Sequence, residues 1–304
     1  MLNVPVNTLI PEVCVLGRSN VGKSTLINAL AGAIGATAGR SHGLGARKSG
    51  MAITSSKAGS TKTMNAFGFG EPGGQLLKEY AMRRQAENEA LEKPGLSRAE
   101  KRELRNKPNR EKRPQHALIL VDMPGYGFNS EVAWGVEIKK YLERRSILKG
   151  AILLIDAVAG IKDGDRMAME MLREAGTRTA VVLTKADKLE SPEQVDEMCV
   201  KVWEELRKIE QGSLTWIEGA GWESEIWVTG AGDPKSGGLG VAGARLAICR
   251  MAGVVKDKRK LQFGVGADGV AAGAAQAAHG GVQQKAQKII PFDQIQWSTG
   301  KVSF

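Results

Sequence analysis

The chain has 304 residues, 42% hydrophobic and 25% charged, an ordinary balance for a soluble globular protein of one large domain or two small ones. Three scattered cysteines, Cys14, Cys199 and Cys249, contain no C-x-x-C pair; they exclude a disulfide framework, suggest a reducing compartment and read as core thiols. His42, His116 and His279 lack metal-ligand spacing, so no zinc site is expected, and no apolar run approaches the ~18 residues of a membrane-spanning helix. The net charge of +10 points to a polyanionic partner (nucleic acid, a ribosomal particle or an anionic membrane surface) or, more blandly, to a basic proteome. No secretory signal or Arg-rich leader is expected, because the first strand begins almost at once.

After a lead-in limited by Pro5 and Pro11, Val13-Cys14-Val15-Leu16 reads as a buried strand, and Thr25 to Leu30 as the first turns of a helix. Between them Gly17-Arg18-Ser19-Asn20-Val21-Gly22-Lys23-Ser24 fits G-x-x-x-x-G-K-[ST], the phosphate-binding loop, in the strand–loop–helix context the motif needs. Its glycines let backbone N–H groups curl toward phosphate oxygens, and the helix N-terminus adds partial positive charge. Lys23 would reach the β- and γ-phosphates, and the Ser24 hydroxyl would ligate Mg²⁺.

Residues 31–60 have loop composition, and Met64 to Phe69 reads as an edge strand. Residues 72–115 are dense in Lys, Arg, Glu and Gln and are broken by Pro94, Pro108 and Pro114. They read as an inserted, solvated helix or two, partly disordered: either a polycation arm for RNA phosphates or an insertion without a role. His116 to Asp122 reads as a buried strand, residues 131–149 as a helix, Ala151 to Asp156 as a strand and Asp163 to Ala175 as a helix. Thr179 to Thr184 is the next strand. Ser191 and Pro192 then cap and open a helix running to about Gln211, followed by a strand over Trp222 to Thr229 and a helix over Leu239 to Ala252. Apolar strands without polar alternation, separated by helices, predict an α/β fold with a mainly parallel sheet covered on both faces. A domain is therefore expected over 1–252, followed by a Gly/Ala-rich, disordered tail over 253–304.

Two further motifs follow strand ends, where open α/β sheets bind ligands. Asp122-Met123-Pro124-Gly125 fits D-x-x-G: the carboxylate would hold Mg²⁺ through a water and the Gly125 N–H would bond the γ-phosphate. Thr184-Lys185-Ala186-Asp187 supplies the base reader. Its carboxylate can accept hydrogen bonds from guanine N1–H and N2–H₂, donors that adenine lacks there, and the Lys185 stem can cover the base.

Together with Tyr126-Gly127, with Tyr141-Leu142, Arg145, Leu148 and Gly150, and with Lys188, these motifs closely resemble the EngB (YihA/YsxC) GTPases of the TrmE–Era-like class over roughly residues 10–252. The resemblance implies a P-loop GTPase fold, GTP or GDP with Mg²⁺, a role in assembling the large ribosomal subunit with its rRNA and proteins as partners, and a monomer. It implies a mitochondrial location, with the cytoplasm as the alternative. It assigns the nucleotide to Gly17, Arg18, Ser19, Asn20, Val21, Gly22, Lys23, Ser24, Thr25, Asp122, Gly125, Thr184, Lys185, Asp187, Thr229, Gly230 and Ala231. It assigns Mg²⁺ to Ser24, Thr61 and Asp122, and the catalytic roles to Lys23, Thr61 and Gly125, with Thr61 as the switch threonine. Gly230 stands where the family usually has Ser or Ala, so a flexible loop weakening affinity is expected there.

After D-x-x-G a Ras-like GTPase carries Gln to orient the attacking water; here that residue is Tyr126, so slow intrinsic hydrolysis is expected, raised by a partner. Asn20 either helps hold K⁺ beside the phosphates, as in related potassium-stimulated members, or only stabilises the loop. Two other readings stay open: a P-loop ATPase or kinase, and a nucleotide-binding scaffold at the ribosome or RNA whose hydrolysis is dispensable.

Overall fold

Val13 and Val15 of the first strand face one apolar layer, Cys14 and Leu16 the other, and all four are buried. That arrangement is what a strand covered on both faces requires. The computed structural model describes residues 7–32, 64–92, 97–98, 102, 112–126, 132–232 and 238–255. The chain divides into two units, Met1–Val255 and Lys256–Phe304. The second unit, and with it nearly all of the tail expected to be disordered, lies outside the described residues, as do Thr61 and most of 93–111.

The elements run β1 (Glu12–Gly17), α1 (Lys23–Leu30), β2 (Asn65–Phe69), α2 (Gly74–Glu92), β3 (Leu118–Asp122), α3 (Val132–Arg144), β4 (Leu148–Asp156), α4 (Asp163–Glu174), β5 (Thr179–Thr184), a 3₁₀ turn (Ala186–Lys188), α5 (Pro192–Glu210), β6 (Trp222–Val228) and α6 (Val241–Met251). The six strands form one sheet in the order β2-β3-β1-β4-β5-β6. All neighbours are parallel except edge strand β2, which runs antiparallel to β3 with Asn65 opposite Asp122. The sheet alternates cleanly: Val13, Val15, Ile152, Leu154, Ala180 and Val182 meet α1 and α6, whereas Cys14, Leu16, Leu153, Ile155, Val181 and Leu183 meet α3, α4 and α5. The chain leaves β1 toward β3 on one side and returns to β4 on the other. The loop after β1 therefore sits at the point where strand order reverses, the position at which such sheets bind ligands.

Several boundaries differ from expectation. The helix expected over 131–149 stops at Arg144 because the chain is needed in the sheet: the Glu12 N–H donates to Ile147 O at 3.0 Å, and Arg145 turns to bond the Glu12 carboxylate. The last helix starts at Val241 rather than Leu239, since Leu239 pairs with Gly230 and Gly240 occupies a left-handed turn at φ 67°. Ser191 holds the N-cap position of α5, but its hydroxyl makes no capping bond to the helix backbone. Cys14 and Cys249 are core thiols; Cys199 is only half-buried. The start of the basic insertion is one regular helix, α2, with no buried residue, held through surface pairs such as Arg83–Glu79 and Arg84–Glu87 and by Arg83 donating to Thr8 O. Among the described residues no helix is long and apolar enough to cross a membrane.

Candidate nucleotide site

The phosphate loop leaves β1 at Gly17 and enters α1 at Lys23. Gly22, at φ 106°, takes a backbone shape that an L side chain rarely adopts, and Asn20, at φ 63°, is a residue type that tolerates the left-handed region. The loop wraps its own lysine: Lys23 Nζ donates to Gly17 O at 2.9 Å and to Arg18 O at 3.0 Å. Burial pushes the Lys23 amine down to about 8, against the opposing pull of Asp122. Ser24 and Thr25, half-buried, stand on the first turn of α1.

Asp122 ends β3 opposite Val15 and is 2% exposed. Burial pushes its carboxyl up to about 6, with Lys23 pulling the other way. Its Oδ1 is buried without a hydrogen-bond partner. Gly125 lies directly on the phosphate loop, where a Cβ would stand 2.9 Å from both Lys23 Nζ and Ser19 N. Lys23, Asp122 and Gly125 are thus brought together.

The base-reading loop follows β5. Thr184 Oγ1 donates to Val21 O at 2.6 Å, tying this loop to the phosphate loop. Lys185 takes a left-handed conformation at φ 61°, and its amine pairs with Asp156 at the end of β4. The second Asp156 oxygen accepts the Val158 and Ala159 N–H groups. The Ala186 N–H donates to Thr229 O at 3.0 Å, and Thr229 returns its N–H and hydroxyl to Leu183 O. These bonds hold Asp187, whose Oδ1 is likewise buried without a partner. The Gly230 N–H donates to Leu239 O at 2.9 Å, and a Cβ there would stand 2.7 Å from Asp187 Oδ1. Ala231 is buried beside it.

Two residues escape the sequence reading. Asp156 carries a legible signal, a lone carboxylate closing an apolar strand, as Asp122 does. Asp165, fully buried on α4, accepts the Tyr126 hydroxyl at 3.0 Å, and only its place in a first helical turn marks it. Thr61 cannot be placed, since it lies outside the described residues.

A buried carboxylate oxygen without a bond is costly. Among the described residues Asp122 and Asp187 are the two carboxylates that carry one, and they stand at the two ends expected for metal with phosphate and for base. Ser24 and Asp122 offer hard oxygen donors of the kind Mg²⁺ takes, so the residues present fit that ion.

Known proteins resemble this chain in sequence. A probable GTP-binding protein EngB from Rhodospirillum rubrum is 33% identical over 203 residues, covering 65% of this chain and 64% of its own. The protein of the same description from a Chelativorans species is 36% identical over 187 residues, covering 60% of each. This chain thus spans under two thirds of the length of the curated relatives it matches. A crystal structure of a probable GTP-binding protein engB superposes with a TM-score of 0.43 at 18% identity, covering 80% of this chain and all of that one. The profile of the 50S ribosome-binding GTPases matches residues 12–185, from β1 through Lys185. The match takes in the first two motifs and the Thr184-Lys185 start of the third, and on it the chain belongs to the 50S ribosome-binding GTPase family.

Proposed function

We propose that this protein is an EngB-type guanine-nucleotide switch that binds and slowly hydrolyses GTP with Mg²⁺ and acts on a precursor of the large ribosomal subunit. The observation that carries the nucleotide reading is the pair of buried, unpartnered oxygens, Asp122 Oδ1 and Asp187 Oδ1, one at the end of β3 and one in the loop after β5. Asp187 accepts the two guanine donors; an adenine would leave the carboxylate unpaired. With the Gly230 N–H engaged by Leu239 O, the backbone donor for guanine O6 falls to Ala231. Lys23 and the N-terminus of α1 hold the phosphates. Mg²⁺, when bound, supplies neutralising charge between the phosphate oxygens, and Ser24 and Asp122 would hold it, with Thr61 as the further hydroxyl. Tyr126 stands where a Gln would orient water, and its hydroxyl is donated to Asp165, so hydrolysis is slow until a partner completes the site. Asn20 remains the candidate for K⁺ beside the phosphates, and equal hydrolysis rates in KCl and NaCl would remove that role.

Calorimetry with GTP, GDP and ATP in turn tests the reading. Wild type should bind both guanine nucleotides and no detectable ATP, and Asp187→Ala should lose guanine binding. Equal binding of ATP would return the chain to an adenine-tolerant NTPase. The ribosomal partner is supported by the family match and by the basic charge of +10. Binding to ribosomal particles should weaken steeply with salt, as phosphate contacts require, and salt-insensitive binding would argue against an RNA contact.

A further inference from the structure

Three segments meet behind Gly125: the phosphate loop, the residue after D-x-x-G, and the first turn of α4. The Ser19 N–H donates to Tyr126 O at 3.0 Å, and Arg18 pairs with Tyr126 in parallel register. An isolated bridge thereby joins the two segments beyond the strand ends. The Tyr126 side chain is anchored as firmly. Its hydroxyl donates to Asp165 Oδ1 at 3.0 Å, while Asp165 Oδ2 accepts the Lys162 N–H at 2.9 Å and faces Arg18 Nε at 3.4 Å. Asp165 is 0% exposed while Tyr126 is half-buried, so the carboxylate end of these bonds is shielded from water and a lost partner there is costly. Gly164 leaves room for the ring: a Cβ there would stand 3.2 Å from Tyr126 Cδ2 and 3.9 Å from Arg18 Cδ.

We propose that Tyr126 and Asp165 are positioning residues that latch Gly125 onto the phosphate loop and so bias the site toward the nucleoside triphosphate over the diphosphate. The inference rests on the guanine-nucleotide reading above. Gly125 is held from both sides, by β3 before it and by the anchored Tyr126 after it. It approaches Ser19 and Lys23 so closely that no side chain fits. Its N–H serves the third phosphate alone; a diphosphate carries no group at that place. Fixing Gly125 in advance therefore removes an ordering cost from triphosphate binding and leaves diphosphate binding untouched. The carboxylate that sets the tyrosine is on α4, so displacement of α4 by a partner would change the preference for triphosphate without touching the nucleotide.

The test is calorimetry of the full chain with GTP and with GDP, for wild type, Tyr126→Phe and Asp165→Asn, with unfolding midpoints measured alongside. Tyr126→Phe removes one hydroxyl and keeps the ring. It should weaken GTP by about threefold or more while GDP stays within about twofold, as expected for one buried hydrogen bond. Asp165→Asn should move the GTP-to-GDP ratio further in the same direction. If Asp165→Asn fails to fold, the phenylalanine variant decides alone. An unchanged ratio in folded variants, whether or not both affinities fall together, overturns the latch. Failure of the wild type to bind either nucleotide is a different result: it removes the site reading itself, and the latch with it.

Discussion

The phosphate end and the base end of the site are assembled from the same parts, a strand-end carboxylate and a lysine, but they are connected differently. At the base end Lys185 is paired with Asp156, whose second oxygen accepts two backbone N–H groups. At the phosphate end Lys23 donates to loop carbonyls, and Asp122 Oδ1 has no partner. Burial pushes the Lys23 amine down to about 8 and the Asp122 carboxyl up to about 6. The base loop is thus completed by the protein's own bonds except at Asp187 Oδ1. The phosphate end keeps two charges that burial disfavours and that a charged ligand would compensate. A folded protein can carry such local cost only because the surrounding sheet is densely buried.

If that contrast is right, substitutions at the phosphate end should have the largest effect on affinity. Lys23→Ala should weaken GTP and GDP together by about a hundredfold or more, the scale of losing charge-assisted bonds to phosphate. Calorimetry at constant Mg²⁺ measures this, and near-normal binding by the variant would mean the loop does not cradle phosphate. Asp122→Asn should act in opposite senses on binding and folding. Removing the buried charge should stabilise the nucleotide-free protein by about 1–2 kcal/mol in thermal or denaturant unfolding, while the Mg²⁺ dependence of GTP binding weakens. A destabilised nucleotide-free variant would show that Asp122 is satisfied in a way its unpartnered oxygen does not suggest.

At the base end the corresponding change should cost stability. Burial raises the Asp156 carboxyl, but Lys185 and the Ala159 and Val158 N–H groups outweigh it and hold the group below its ordinary value of 3.8. The folded state therefore keeps the carboxylate charged where the unfolded chain begins to bind a proton. Its contribution is present above about pH 4 and is lost as pH falls through the folded value. Asp156→Asn should cost about 1–2 kcal/mol at pH 7, less than a fully buried pair because Lys185 remains 29% exposed. The wild type should lose that advantage in acid, so the two unfolding curves converge below pH 4. A constant gap down to pH 2 would mean the ion pair is not its source.

Much of this was readable before any coordinates, for identifiable reasons. Phosphate loops, D-x-x-G and the base-reading loop are contiguous, and each follows a strand whose apolar run is unbroken, so Lys23, Asp122, Gly125 and Asp187 announce themselves. Sheet membership was legible for the same reason, including β2 as an edge. Contacts between segments far apart in sequence were not. Nothing local says that Tyr126 meets Asp165, 39 residues later, or that Lys185 meets Asp156, 29 residues earlier, because a lone carboxylate in a helix or at a strand end has many possible partners. The end of α3 is not legible because no Gly or Pro interrupts Arg145-Ser146-Ile147-Leu148, and the pairing with Glu12 that pulls this stretch into the sheet is remote.

Gly230 offers the smallest and most discriminating test of the base end. The sequence led to the expectation that a glycine here loosens the loop and weakens affinity. In the structure its N–H is fixed by Leu239 O, and the missing Cβ is what lets Asp187 sit where it does: an added methyl would stand 2.7 Å from both Asp187 Cβ and Oδ1. Its φ is not among the positive values, so alanine brings no backbone strain, but the contact with Asp187 Cβ means that Asp187 as a whole, not its carboxylate alone, must shift. Gly230→Ala should then weaken GTP and GDP equally by about two- to fivefold, the cost of one misaligned hydrogen bond. It should leave the GTP-to-GDP ratio unchanged, because the phosphate end is untouched. Tighter guanine binding in the variant would restore the flexible-loop account and show that Asp187 gains, rather than loses, from being pushed.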